Sequence, residues 1–185
     1  ILEAEGVTIG VVEGVQGISW TEILIVGQSA HAGTTPMRLR HDPAFCAGAI
    51  ATYVRDLTRH LGHDQVGTVG RIDVYPNLTN VVPSRVVMTV DLRNTDDRML
   101  REAETRLATF LEELAESEGV EITTRSLARF EPVSFDADMV NRVESTATSS
   151  AYFSRTLLVI GGRTPAARHA PSQTLVAARA AELAQ

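Results

Sequence analysis

Three side chains of this 185-residue sequence have types and settings suited to chemistry on a polar substrate. His31 lies in "GQSAHAGTTPMRLRHD" (residues 27–42), among small residues followed by a glycine, two threonines and a proline. With nothing bulky before Met37, this run supplies little core, and it interrupts two well-patterned elements. An imidazole there could be catalytic, as an acid or base. Taken alone, though, such a histidine is more often an ordinary loop residue. Arg93 closes "SRVVMTVDLR" (residues 84–93). Its planar guanidinium suits a two-pronged grip on a carboxylate. A surface ion pair with Asp91, worth little, is the competing reading, and the pattern leaves the two even. Asn80 lies in "YPNLTNVVPSR" (residues 75–85), between Pro76 and Pro83. Asn77 reads as a turn residue held by its own side chain. That reading fits Asn80 less well, because Val81 and Val82 already begin the next strand.

Other candidates are weaker. "HLGHD" (residues 60–64) joins His60, His63 and Asp64, a possible metal-ligand set. It reads better as a helix C-terminus, with histidines complementing the dipole and Gly62 as the cap. Cys46 sits beside an apolar stripe and reads as a small packed residue; nothing nearby would make it a reactive thiol. The sequence holds no H-E-x-x-H, no paired C-x-x-C, no Walker loop and no G-x-S-x-G elbow. A net charge of −6 argues against nucleic acid or an anionic membrane as partner, and no apolar run is long enough to span a bilayer. The single cysteine excludes an internal disulfide and fits a reducing, cytoplasmic setting. The sequence starts at Ile1 without a methionine and reads as a piece of something longer.

The elements that must position these residues are legible. Residues 18–27, rich in β-branched side chains and closed by Gly27, predict a strand. Pro43 can open a helix, continued by Phe45, Ala49, Ile50, Tyr53, Val54, Leu57 and Leu61 and stopped by Gly62. Residues 66–76 predict a second strand. In the third, Val86, Met88, Val90 and Leu92 share one face, while Asp91 and Arg93 share the other. "NTDD" (residues 94–97) offers an N-cap to a helix with Leu100, Ala103, Leu107, Phe110, Leu111 and Leu114 on one stripe. Gly119 ends it, and residues 120–126 resume as a strand. The order β-α-β-β-α-β predicts an α+β, ferredoxin-like unit: a four-stranded antiparallel sheet with both helices on one face. Beyond residue 129 the pattern loosens to a helix over 135–151, a buried strand over 155–162 and a helical tail from 174.

Taken together, "GQSAHAGTTPMRLRHD", "TVGRIDVYPNLTNVVPSRV" and "VDLRNTD" resemble the lid segment of a metal-dependent amidohydrolase family. Its members include N-carbamoyl-L-amino-acid hydrolases and allantoate amidohydrolases, and it is related to the dinuclear-zinc aminoacylases and carboxypeptidases. The resemblance runs from about Ile1 to about Ala151. It implies hydrolysis of linear ureido or amide C–N bonds, and a lid that closes on a small carboxylate substrate and forms a homodimer. By the same resemblance, His31 is catalytic, bonding the developing oxyanion, often in the partner subunit's active site. Asn80 and Arg93 grip the substrate carboxylate. Gly33 and Thr34 bind substrate, and together with Pro36 shape the loop so that backbone can approach it. Residues 1–17 would connect from a catalytic domain, 18–128 form the lid and dimerisation domain, and 129–185 return partially into the α/β catalytic domain.

The departures are specific. The family's metal-binding residues, which hold two zinc or manganese ions, have no counterpart in this sequence, so no cofactor is expected on the chain itself. Hydrolysis by the chain alone is not expected. Where a glycine-rich "SGAGHDA"-like stretch belongs, residues 154–173 read "SRTLLVIGGRTPAARHAPSQ", and His169 takes no role. A frameshifted or truncated reading frame would account for this, and the other two frames of the coding DNA would test it. The rival reading is a non-catalytic ferredoxin-like module that only dimerises or binds a small regulatory ligand.

Overall fold

Strict alternation in residues 85–94 decides the architecture, because a strand presents successive side chains to opposite faces. A computed structural model describes residues 2, 4, 9–62, 64–148 and 156–158. It contains β1 (Gly17–Val26), α1 (Pro43–Leu61), β2 (Val66–Tyr75), β3 (Arg85–Asn94), α2 (Asp97–Glu118) and β4 (Glu121–Phe130). The strands form one antiparallel sheet in the order β2-β3-β1-β4. Val86, Met88, Val90 and Leu92 are buried with Ile23 and Ile25 from β1, and α1 and α2 complete that core with Ile50, Val54, Leu57, Leu100, Leu107 and Leu111. The expected sheet with both helices on one face is what forms.

The helices begin and end as their sequences dictate. Asp42 caps α1 by accepting from the amides of Ala44 (2.9 Å) and Phe45 (3.3 Å), with Pro43 at the first position. Asp96 caps α2 through the amides of Arg98 (2.8 Å) and Met99 (3.3 Å). Gly119 ends α2 at φ 62°, and a Cβ there would meet the His41 ring at 2.7 Å, so both backbone and space require glycine.

One stripe residue departs from expectation. Phe45 is 56% exposed, and Cys46 and Ala47 turn into the core in its place. Residue type pointed to Phe45, but the helical phase set by Ile50, Val54, Leu57 and Leu61 favours its smaller neighbours. Burial pushes the Cys46 thiol up to about 11, with help from the charges of Glu118 and Asp42. At pH 8 roughly one thiol in a thousand is then ionised. Cys46 is therefore expected to resist a disulfide reagent such as DTNB in the folded chain and to react fully in guanidinium; fast native labelling would contradict its packing.

The opposite face of the sheet is open to solvent. Glu22 on β1 bridges Arg125 on β4 (2.8 Å) and Arg71 on β2 (3.6 Å), and Arg71 also pairs with Asp73. Such exposed pairs add little stability.

These residues fall in a compact unit, Gly17–Glu131; a second unit joins residues 1–16 to 132–185. In the second, Ile9–Val11 pairs in parallel with Thr156–Leu158, and Gly14–Val15 pairs antiparallel with Val133–Ser134. Helix α3 (Ala137–Thr148) forms where the sequence predicts it, with the Asp136 side chain accepting from the Met139 amide at 2.9 Å. The helical tail expected from residue 174 and His169 lie outside the described residues. Among the described residues no helix is long and apolar enough to cross a membrane.

Candidate functional site

Gly27 ends β1 and starts the bare loop. Its amide donates to the Ser84 carbonyl (2.9 Å), and the Gln28 amide donates to the His41 carbonyl (3.0 Å), closing the loop at its foot. A Cβ on Gly27 would meet the His41 oxygen at 2.3 Å, so that closure needs glycine. Inside the loop, Ala30 and His31 pair antiparallel with Val82 and Val81, and the Ala32 amide donates to the Asn80 carbonyl at 3.0 Å. Arg40 then staples the far side, donating from Nε to the Thr35 carbonyl (3.0 Å) and from Nη2 to the Ala32 carbonyl (2.6 Å). Sequence reasoning missed Arg40, which residue type alone does not distinguish from Arg38 in the same loop.

This scaffold fixes the state of His31. Its Nδ1 accepts the amides of Gly33 (3.1 Å) and Thr34 (3.2 Å). Backbone amides can only donate, so Nδ1 of the neutral ring must be the bare nitrogen and Nε2 carries the proton. The residue is exposed, and Nε2–H is left as the donor of the ring. The amides of Gly33 and Thr34, residues expected to bind substrate, both donate to His31 and so orient the ring. A Cβ on Gly33 would approach the ring at 3.2 Å, close enough to tilt it.

Asn80 is exposed beside this loop, held to it through its carbonyl. Asn77 has φ 57°, in keeping with its turn role. His31 and Asn80 therefore share one end of the sheet, the end where Val26 faces Arg85.

Arg93 stands at the other end. Eight residues along β3 separate it from Arg85, about 26 Å at strand rise. Within one chain the structure joins His31 to Asn80 and keeps Arg93 apart from both. The expected shared grip of Asn80 and Arg93 on one carboxylate is out of reach inside a single subunit, because the strand lies between them.

Arg93 is bonded to Asp91 in a particular way. Nε donates to Oδ1 and Oδ2 (3.0 and 3.1 Å), and Nη2 donates to Oδ2 (2.8 Å). Asp91 thus takes the side edge of the guanidinium, and its bond raises the arginine's pKa further. These bonds leave the end edge, formed by Nη1 and the second proton of Nη2, for another acceptor. The ion pair and the carboxylate clamp are compatible readings. Beneath, the buried Gln65 and Asn94 make an amide pair (2.9 Å), and Gln65 Nε2 donates to the Arg93 carbonyl at 3.2 Å. Asn94 continues the core-facing parity of Val86 through Leu92, so a polar residue at a core position was the signal for this anchor.

His60 lies in the last turn of α1 with Nδ1 2.8 Å from the Asp56 carbonyl, as the helix-terminus reading expects; His63 lies outside the described residues. Among the described residues no group of three histidine, cysteine or acidic side chains could hold a metal ion.

No family model matches the chain. It is 37% identical over 133 residues to the N-carbamoyl-L-amino acid amidohydrolase of Geobacillus stearothermophilus, covering 72% of this chain and 32% of that protein. It is 31% identical over 140 residues to the allantoate amidohydrolase of Escherichia coli (strain K12), covering 76% and 34%. Among solved structures, an amidase of the hydantoinase/carbamoylase family from Burkholderia multivorans superposes with a TM-score of 0.81 at 37% identity, over 88% of this chain and 40% of that one. The chain spans about a third of the length of the curated relatives it matches.

Proposed function

The chain belongs to the family of N-carbamoyl-L-amino-acid and allantoate amidohydrolases, and from that premise we propose that it carries the substrate-holding and dimerising part of a cytoplasmic C–N hydrolase. Its substrates are small acids with a linear ureido or amide group. When such a group is attacked by water, negative charge gathers on the carbonyl oxygen. A fixed neutral donor at that oxygen lowers the barrier without a proton having to move. His31 is such a donor, because Gly33 and Thr34 leave Nε2–H as the donor of its ring. Arg93 supplies the matching half, an end-on fork for the substrate carboxylate.

The observation that carries this reading is the placement of the two halves. A substrate the size of two extended residues reaches about 7 Å. Arg85, at the His31 end of the sheet, and Arg93 lie about 26 Å apart along β3, so His31 and Arg93 of one chain do not meet such a substrate together. A two-fold dimer answers the geometry: His31 and Asn80 of one subunit complete the site at Arg93 of the other.

The two divalent ions of such a hydrolase, zinc or manganese, would be bound outside the described residues, which gather no ligand set. Purified chain supplied with either ion is therefore expected to bind N-carbamoyl-L-alanine, seen as shifts of the His31 and Arg93 side-chain resonances, yet release no ammonia from it or from allantoate. Turnover would overturn the division of labour; absence of any shift would overturn the substrate-holding role.

A further inference from the structure

Arg93 stands in an apolar setting on the open face of the sheet. Directly opposite it lie Ile18 on β1 and Val66 on β2, and Phe130 on β4 faces Ile18. Directly opposed residues share a face, so all three lie with Arg93 on the side away from the helices, Ile18 and Val66 on the flanking strands and Phe130 one strand further on. Trp20, opposite Asp91, brings its ring centre to 5.8 Å from the guanidinium carbon. Val66 is 47% exposed, Trp20 41% and Phe130 63%. Three exposed large apolar residues around one arginine make a patch whose exposure calls for a ligand.

The arginine itself is locked. Asp91 occupies its Nε–Nη2 edge, and Trp20 lies near its face. A carboxylate taken by the remaining edge must lie in the same plane, over the apolar neighbours. Whatever group the acid carries next to its carboxylate is then pressed toward Trp20, Val66 or Phe130. An alkyl or phenyl group gains by leaving water there. The two ureido groups of allantoate would lose hydrogen bonds to water and find few donors or acceptors in return.

We propose that Arg93, Trp20, Val66 and Phe130 form a carboxylate subsite selective for acids bearing an apolar or aromatic side chain, with Asp91 and Trp20 as positioning residues for the arginine fork. This rests on the reading of Arg93 as the carboxylate clamp, and it selects N-carbamoyl amino acids of the leucine or phenylalanine kind over allantoate.

Trp20 is the only tryptophan of the chain, so its fluorescence and indole resonance report directly on the subsite. The full chain is titrated with N-carbamoylglycine, N-carbamoyl-L-phenylalanine, allantoate and the uncharged N-carbamoyl-L-phenylalaninamide. Burying about 40 Å² of ring is worth about fivefold in affinity. The phenylalanine acid is therefore expected to bind about fivefold more tightly than the glycine acid, allantoate no more tightly than the glycine acid, and the amide about tenfold more weakly than its acid. Phe130→Ser should remove much of the phenyl preference. Asp91→Asn should weaken both carbamoyl acids by the same factor, leaving their ratio and the melting temperature unchanged, which a purely structural role would not do. Equal affinity for the glycine and phenylalanine acids, or tighter binding of allantoate, overturns the subsite while leaving Arg93 as clamp. An amide that binds as well as its acid overturns the clamp, and the subsite with it.

Discussion

Mixed in equal amounts, a His31→Ala chain and an Arg93→Ala chain are expected to recover tight N-carbamoyl-amino-acid binding that neither shows alone. Each variant by itself lacks one half of every site: Arg93→Ala should bind at least about tenfold more weakly, a charged hydrogen bond being worth about 1.5–3 kcal/mol, and His31→Ala about two- to tenfold more weakly, a neutral one being worth about 0.5–1.5 kcal/mol. In a mixed dimer one site loses both halves and the other keeps both: Arg93 from the first chain and His31 from the second. Random pairing makes about half the dimers mixed, so about one site in four is whole. Calorimetry counts those sites directly, and sedimentation shows that exchange has occurred. Mixed dimers without recovered sites would mean that the two ends of the sheet serve different ligands. Wild-type affinity in either single variant would remove that residue from the site.

The second large effect is on the fold. Leu100→Ala is expected to cost about 3 kcal/mol, within the ~2–5 kcal/mol range for deleting a buried leucine side chain. Leu100 is fully buried in the core shared by α2 and the sheet, so the cavity cannot drain to the surface. Set against a total stability of about 5–15 kcal/mol, that loss is a large fraction of the whole. Phe45→Ala, the larger truncation by volume, should shift stability by under about 1 kcal/mol, because Phe45 lies outside the core. Urea midpoints with unchanged slopes would measure both. Comparable losses at the two positions would contradict the packing of α1.

The contrast between these residues also shows what sequence alone could reach. Val86, Met88, Val90 and Leu92 announced their face, because period-two alternation has one physical cause. Phe45 misled, because hydrophobic type and helical phase disagreed by one position and phase prevailed. The Asp91–Arg93 pair was readable two residues apart on one strand face, whereas the edge of the guanidinium that Asp91 uses depends on rotamers. The ladder between His31 and Val81 was beyond reach, since pairing across 50 residues leaves no local pattern. The roles of His31, Asn80 and Arg93 came from resemblance. Their separation to opposite ends of the sheet needed the strand register, which the resemblance did not supply.

The loop around His31 is closed at its foot by Gln28 and His41 and stapled by Arg40 to the carbonyls of Ala32 and Thr35. It therefore meets a ligand already ordered. The conformational entropy of fixing residues 27–42 is given up when the chain folds, so little of it remains to be lost on binding. A short, bare, glycine-containing segment would by composition be the floppiest part of the molecule. Preorganisation by these three backbone-directed bonds turns it into a rigid arm, on which the histidine proton is held in place before the substrate arrives.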